Sequence, residues 1–454
     1  MPEKFLIKGG VPLSGEVKIS GYKNSAGALL AAALLSEELS IIDNLPLVTD
    51  VLDQIEILKQ IGVKFEWLGE RKIRINPKNI DPEKIPNDLF EKMRVSVLLI
   101  APLIARCKRL KVPHPGGDKI GLRPISTHLD ALKNFGIKVE EKNGFYSFEA
   151  PEIIEGQKIV LKEFSVTATE VSMMLAALAK GKSKIYIAAA EPQVQDLGRF
   201  LRKMGVKIEG FGTHKIEIEG KEKLAGAEFS ICPDLLEAGT FLLAFAITGG
   251  EGKIRTSSLR SENLDSSQGK IRTSSLRSEN FDFSQSSELK NVTAEYLTFF
   301  LEKMKEIGVN FEVSDSEILV KPSSKFKPTR IQVLPYPGFP TDLQPQTSVL
   351  LTQAPGKSLI HDPLYENRFQ YLHELRKLGA DIEITDPHRA LIFGKTELSG
   401  NKINSSDIRS GAALILAGLI TKGETTIENV SQIERGHEKI EEKLKKLGAQ
   451  IEKI

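Results

Sequence analysis

Three cations and two carboxylates in this chain stand where a packed helix or a plain turn has little use for them. Lys23 follows Ser20-Gly21-Tyr22 and precedes Asn24 at the start of an apolar run, where free amides and the helix dipole favour an anion. Arg409, in Ser406-Asp407-Ile408-Arg409-Ser410-Gly411, stands just before an apolar decamer. It can either snorkel to solvent or grip a carboxylate or phosphate with both ends of its fork. Asp118 and Arg123 share the loop from His114 to Pro124, whose three glycines and two prolines suit a lid that closes over a ligand. A tight connection would use the same residues. Asp342 follows the rigid turn Pro337-Gly338-Phe339-Pro340-Thr341, where a simple helix cap would look alike. Each feature alone has a structural explanation. Together they supply an acid, a base and an anion clamp.

The elements that must position these residues are legible as an internal repeat. Six glycines, Gly62, Gly136, Gly205, Gly308, Gly379 and Gly448, each have apolar residues four and one before, apolar residues one and three after, and a glutamate four after. The last copy shows the logic: Ile440, Leu444 and Leu447 keep helical spacing, Gly448 supplies a left-handed cap, and Ala449-Gln450-Ile451-Glu452 alternates as a strand does. Each copy therefore reads helix, glycine cap, strand. Near-uniformly apolar segments precede most copies (GALLAAALL, VSVLLIAPLIA, VSMMLAALA, GTFLLAFAI and GAALILAGLI) and predict a second class of helix, buried on all sides. The whole unit is then roughly strand, buried helix, strand, amphipathic helix, strand. Successive glycines are 74, 69, 103, 71 and 69 residues apart. The long interval holds a tandem duplication, GKIRTSSLRSENLDSSQ followed by GKIRTSSLRSENFDFSQ, and removing those 34 residues leaves the ordinary 69. Serine-rich and polar, this insert at 252–285 is expected to be an exposed, mobile excursion.

At 454 residues the chain can bury the cores of two or three domains. With 62 basic against 60 acidic residues it has no global field for nucleic acid or a membrane surface, so any anion binding is local. Its two cysteines, Cys107 and Cys232, lack both metal-ligand spacing and a disulfide framework, so no metal site is expected. The opening MPEKFLIKGG has no signal-peptide core, and the longest apolar runs are about half of the ~20 residues a bilayer span needs. Membrane insertion is not expected; a cytoplasmic location is.

Read in order, KNS, PGGDKIGLRP, PGFPTD, ENRF, DIRSGAALILAG and RGHEKIEEKLKKLGA resemble the bacterial UDP-N-acetylglucosamine 1-carboxyvinyltransferase family, over essentially the whole chain apart from the insert. The resemblance implies an α/β fold, a two-domain inside-out α/β barrel of six βαβαββ-like repeats, three per domain. Residues 22–233 would form a central domain, and 1–21 plus 234–454 a second one. It also implies transfer of the enolpyruvyl group of phosphoenolpyruvate to the 3-hydroxyl of UDP-N-acetylglucosamine without a cofactor. That is the first committed step toward peptidoglycan, and so it serves cell shape and division. Carried over position by position, Lys23 and Asn24 would hold phosphoenolpyruvate, and Arg123 and Arg409 would neutralise its phosphate and carboxylate. Arg94, the run Arg123, Pro124, Ile125, Ser126 and Thr127, then Asp342 and Leu364 would face the nucleotide sugar.

Asp342 would take the hydroxyl proton, and Asp118, where most members carry a cysteine, would be the general acid, in an apolar or anionic setting that favours its protonated form. An aspartate there implies resistance to fosfomycin, an epoxide that alkylates the cysteine. Glu163 stands in place of a usual lysine, Thr167 of a glycine and Leu235 of a common arginine, which bears on how the nucleotide is recognised. Two alternatives share the fold: the sister enzyme acting on shikimate 3-phosphate, whose PGSKS-like opening is absent, and a non-catalytic paralogue. Retention of Lys23, Arg123, Asp342 and Arg409 weighs against the second, because charge gathered without a ligand to bind destabilises a fold.

Overall fold

The structure, a computed structural model, describes residues 3–118, 120–256, 292–323 and 325–454. Its strands form six separate sheets, five of four strands and one of three among the described residues. The six cap glycines all have positive φ, between +79° and +101°, the left-handed conformation that L side chains resist. Before each runs an amphipathic helix: Thr49–Gln60, Ser126–Asn134, Pro192–Lys203, Thr298–Ile307, Gln370–Lys377 and Ile440–Lys446. After each a strand begins two residues on, as at Lys64, Lys138 and Gln450. The six-fold repeat is therefore real in three dimensions.

The apolar helices lie inside, packed on one another, and the sheets lie outside. They are Lys23–Ala32, Ile100–Cys107, Val166–Leu178, Leu235–Thr248 and Ile408–Gly418, with a sixth, Gln344–Leu351, that the apolar pattern does not reveal. All eight residues of that sixth helix are buried although half of its sequence, QPQTSVLL, is polar. Its hydroxyls are satisfied locally: Thr347 donates to the Leu343 carbonyl at 2.7 Å and Ser348 to the Gln344 carbonyl at 3.0 Å.

Three sheets are built from residues 40–230 and three from residues 5–18 and 251–453, giving the two-domain inside-out α/β architecture. The chain crosses between the two sets of sheets twice, and the strand before each crossing pairs within the set it is about to leave. Ser14–Lys18 leads into the helix Lys23–Ala32 yet pairs in parallel with Glu251–Arg255 of the second domain. Glu228–Ser230 leads into the helix Leu235–Thr248 yet pairs in parallel with Ser40–Asp43 of the central domain. The crossings bond to each other, Tyr22 N to Cys232 O and Asp234 N to Ser20 O, both at 2.8 Å. Near the N-terminus, Phe5–Lys8 lies between Glu424–Glu428 and Gln450–Lys453, joining both ends of the chain in one sheet.

The segment expected to be an exposed excursion starts differently. Gly252 to Arg255 belong to a strand paired on both sides, and Ile254 is fully buried, which stabilises the sheet by on the order of 2 kcal/mol. The first GKIR is therefore core, because Ile254 supplies the inward residue of an alternating strand; residues 257–285 of the expected excursion lie outside the described residues. No helix of the described residues is long and apolar enough to cross a membrane.

Candidate active site

The helix Ile408–Gly418 starts with Asp407, whose Oδ1 accepts from the backbone N–H groups of Arg409 and Ser410 at 2.9 and 3.1 Å. The cap fixes the first turn and so aims the buried Arg409 side chain at the turn carrying Asp342. Arg409 Nε donates to Asp342 Oδ2 at 3.1 Å, and Arg368 Nη2 donates to Asp342 Oδ1 at 2.6 Å. Burial would push the Asp342 carboxyl up, but the Arg409 and Arg368 charges and their hydrogen bonds outweigh it and hold the group well below the usual carboxylate range. His437 Nε2 lies 3.4 Å from Arg409 Nη1. Burial, then the charges of Arg409 and Lys23, keep its imidazole neutral.

A second cluster faces the same cleft. Lys23 Nζ sits 2.7 Å from Asp50 Oδ2, Arg435 Nε donates to Asp50 Oδ1 at 2.9 Å, and Arg435 Nη1 donates to Asp118 Oδ1 at 2.5 Å. Tyr22, next to Lys23 and within the field of Asp342 and Arg409, lies between the clusters, as does His437. The loop carrying Asp118 is clasped to the second domain: Leu122 N donates to Glu366 Oε1 at 2.8 Å and Asn367 N to Ile120 O at 3.1 Å. Gly121 is needed for this contact, because a Cβ there would meet Glu366 Oε2 at 2.5 Å. The neighbour of Asp118 is thus a guanidinium, not the apolar or anionic setting expected of it, since closure brings Arg435 across the cleft.

These two clusters are the setting in which the relatives of this chain become informative. A family model described as EPSP synthase (3-phosphoshikimate 1-carboxyvinyltransferase) matches residues 7–273 and 287–444. A protein of Halothermothrix orenii named UDP-N-acetylglucosamine 1-carboxyvinyltransferase is 40% identical over 451 residues, covering 99% of both chains. One of the same name from Koribacter versatilis is 38% identical over 456 residues, covering 100% of this chain and 96% of its own. The chain belongs to the UDP-N-acetylglucosamine 1-carboxyvinyltransferase family. The fold agrees: the enolpyruvyl transferase NikO from Streptomyces tendae superposes with a TM-score of 0.85 at 23% identity, covering 100% of this chain and 99% of its own. An EPSP synthase from Acinetobacter baumannii superposes at 0.70 and 17%, covering all of both chains.

Family membership makes the placement of the other expected residues worth stating one by one. Asn24 Nδ2 donates to the Tyr22 hydroxyl at 3.2 Å, beside Lys23. Arg123 stacks its guanidinium over Tyr365 at 5.8 Å and stands at φ +45°, held by the lid's turn. Arg94 Nη2 donates to the carbonyl of Pro124 at 3.0 Å, tying it to the run that continues through buried Ile125, exposed Ser126 and buried Thr127. Leu364 is exposed, 41% accessible, on the turn where its N–H donates to Asp362 Oδ1 at 3.0 Å. Leu235 is buried at the start of a helix capped by Asp234.

Five residues of the site went unnamed by sequence reasoning: Asp50, Tyr365, Arg368, Arg435 and His437. Arg368 lies in ENRF, and Arg435 and His437 lie in RGHEK, so their motifs were visible while their roles were not. Asp50 gave no signal, because an acidic residue in the first turn of an amphipathic helix is ordinary.

Proposed function

We propose that this chain transfers the enolpyruvyl group of phosphoenolpyruvate to the 3-hydroxyl of UDP-N-acetylglucosamine, releasing phosphate, in the cytoplasm and toward peptidoglycan. The observation that carries the reading is the paired arrangement of Asp342 between Arg368 and Arg409, and of Asp118 beside Arg435, Asp50 and Lys23. Three carboxylates among these four cations, with Arg123 on the Asp118 loop, suit a trianionic substrate whose reaction adds a proton at one carbon and an oxygen at the next.

In this mechanism Lys23, Arg123, Arg409 and Arg435 bind the phosphate and carboxylate of phosphoenolpyruvate. Asp118 gives a proton to the methylene carbon. The sugar hydroxyl attacks the neighbouring carbon and passes its proton to Asp342. Each Asp342 oxygen accepts one arginine hydrogen bond, which leaves further lone pairs for that hydroxyl. The ketal so formed expels phosphate, which carries away the bonding electrons, and a methyl proton returns to a base to form the enol ether. Donation from Asp118 requires its pair with Arg435 to part, and an arriving phosphate is the natural competitor for that guanidinium. Arg94 and the run 123–127, with Leu364 at the rim, would hold the nucleotide, and residues 22–233 and 1–21 plus 234–454 would be the domains that close on it.

Phosphate release from phosphoenolpyruvate, measured with UDP-N-acetylglucosamine and separately with shikimate 3-phosphate, tests this reading. Release with the nucleotide sugar alone, falling at least about a hundredfold in Asp342→Ala, is expected. Release with shikimate 3-phosphate alone, or with neither acceptor, would overturn it.

A further inference from the structure

The pocket around Arg94 and Arg123 carries more positive charge than the protein pairs. The two arginines flank Gly117, at which a Cβ would lie 2.8 Å from Arg94 Cβ and 3.3 Å from Arg123 Nη1. Burial first, and then the neighbouring Arg123 charge, pulls the Arg94 guanidinium down to about 10. Their bonded partners are neutral: the carbonyls of Pro124 and Asp118 and the ring of Tyr365. Among the described residues a carboxylate acts on Arg94. Glu163, exposed on the loop that leads into the helix Val166–Leu178, accepts a hydrogen bond from Thr127 Oγ1 at 3.0 Å, and its charge acts favourably on Arg94. The same loop is fastened a second time, by a 2.7 Å hydrogen bond between Thr167 Oγ1 and His128 Nε2. Thr127 and His128 are both buried, so the loop cannot swing away without breaking bonds inside the domain.

We infer that Glu163 is a built-in counter-anion of the nucleotide pocket, partly neutralising Arg94 until the diphosphate of the nucleotide sugar arrives. This rests on the proposed assignment of residues 123–127 to the nucleotide. A carboxylate that relieves cation repulsion in the free enzyme opposes a diphosphate in the complex. Glu163 therefore sets the affinity for the nucleotide: it weakens binding of the anionic group while leaving the chemistry at Asp118 and Asp342 untouched. Its tether to Thr127 keeps the charge from retreating into solvent when the ligand enters.

The test is Glu163→Gln, which keeps an oxygen to accept from Thr127 and removes the charge. UDP, used as a probe in titration calorimetry, is expected to bind the variant about twofold to fivefold more tightly than wild type at low salt, with the difference shrinking as salt screens it. With UDP-N-acetylglucosamine as the varied substrate, KM should fall by a similar factor, with kcat and the KM for phosphoenolpyruvate unchanged. A purely structural role for Glu163 would instead raise KM and lower thermal stability. UDP binding to the variant that is no tighter, or no UDP binding to either protein, would overturn the inference. Phosphate release by the wild type decides the proposed reaction separately, so the two can fail independently.

Discussion

At the scale of single residues the site is organised by which cation holds which carboxylate. Asp342 is locked between Arg368 and Arg409, whereas Asp118 depends on one guanidinium from the other domain, Arg435. Arg435 also holds Asp50, the partner of Lys23, so truncating it would leave two carboxylates and a lysine out of balance. Arg435→Ala is expected to lower kcat by on the order of a hundredfold, and more than it raises the KM for the nucleotide sugar. A raised KM for phosphoenolpyruvate with kcat unchanged would mean that Arg435 only binds. Because no thiol stands at position 118, the enzyme should survive fosfomycin without a mass adduct, and Asp118→Cys should acquire one on this loop. An adduct on the wild-type loop would contradict the role given to Asp118. The residues legible in the sequence were those whose charge interrupts a glycine-rich turn or an apolar helix start. Asp50 escaped because its helix has a charged face anyway, and the Asp118–Arg435 pair because its partners are 317 positions apart.

At the scale of elements, legibility followed backbone chemistry. The cap glycines were readable because a left-handed residue without a Cβ is cheap only as glycine, and all six occur. The helix Gln344–Leu351 was hidden because half of it is polar, yet Thr347 and Ser348 bond to carbonyls one turn back, Ser348 also to Tyr371, and Gln346 to Thr240, so burial left no apolar trace. The parallel pairing of Ser14–Lys18 with Glu251–Arg255, and of Glu228–Ser230 with Ser40–Asp43, was hidden because partners so far apart in sequence leave no local pattern. The glycine caps differ in one respect that can be measured. At Gly448 an added Cβ meets nothing within 4 Å, whereas at Gly308 it meets the Lys325 carbonyl oxygen at 2.7 Å. Gly448→Ala should therefore cost only the left-handed backbone strain, about 1 kcal/mol, and Gly308→Ala about 2 to 3 kcal/mol. Each precedes a strand of the same set of three sheets, so denaturant unfolding compares them within that set. Equal losses would mean that the carbonyl simply moves aside.

At the scale of the whole molecule, stability depends on buried groups on both sides of the cleft that are kept in an unusual protonation state. His128 is buried beside Arg94, and burial first, then that charge, lowers its pKa to about 3. His437, buried among Arg409, Lys23 and Lys443, is likewise held neutral. Asp234, capping the helix at the second crossing, is pushed up to about 6 by burial, against the pull of Arg409. These shifts act in opposite directions with pH. A histidine near pH 6.5 takes a proton in the unfolded chain but not in the native one, so stability is complete above that value and is lost as pH falls toward 3. Asp234 keeps its proton longer in the native state, so its cost is full above about pH 6 and is relieved as pH falls toward 4. Each histidine by itself favours a loss of stability on acidification from pH 6.5, with a slope of at most about 1.4 kcal/mol per pH unit, and Asp234 opposes it. The variants separate the two effects: His128→Gln should flatten the acid limb of stability against pH, and Asp234→Asn, which removes the compensation, should steepen it between about pH 4 and 6. Thermal unfolding across that range would read the slopes directly. A steeper limb in His128→Gln would mean that the imidazole is charged in the native protein, and that its bond to Thr167 is made by a cation.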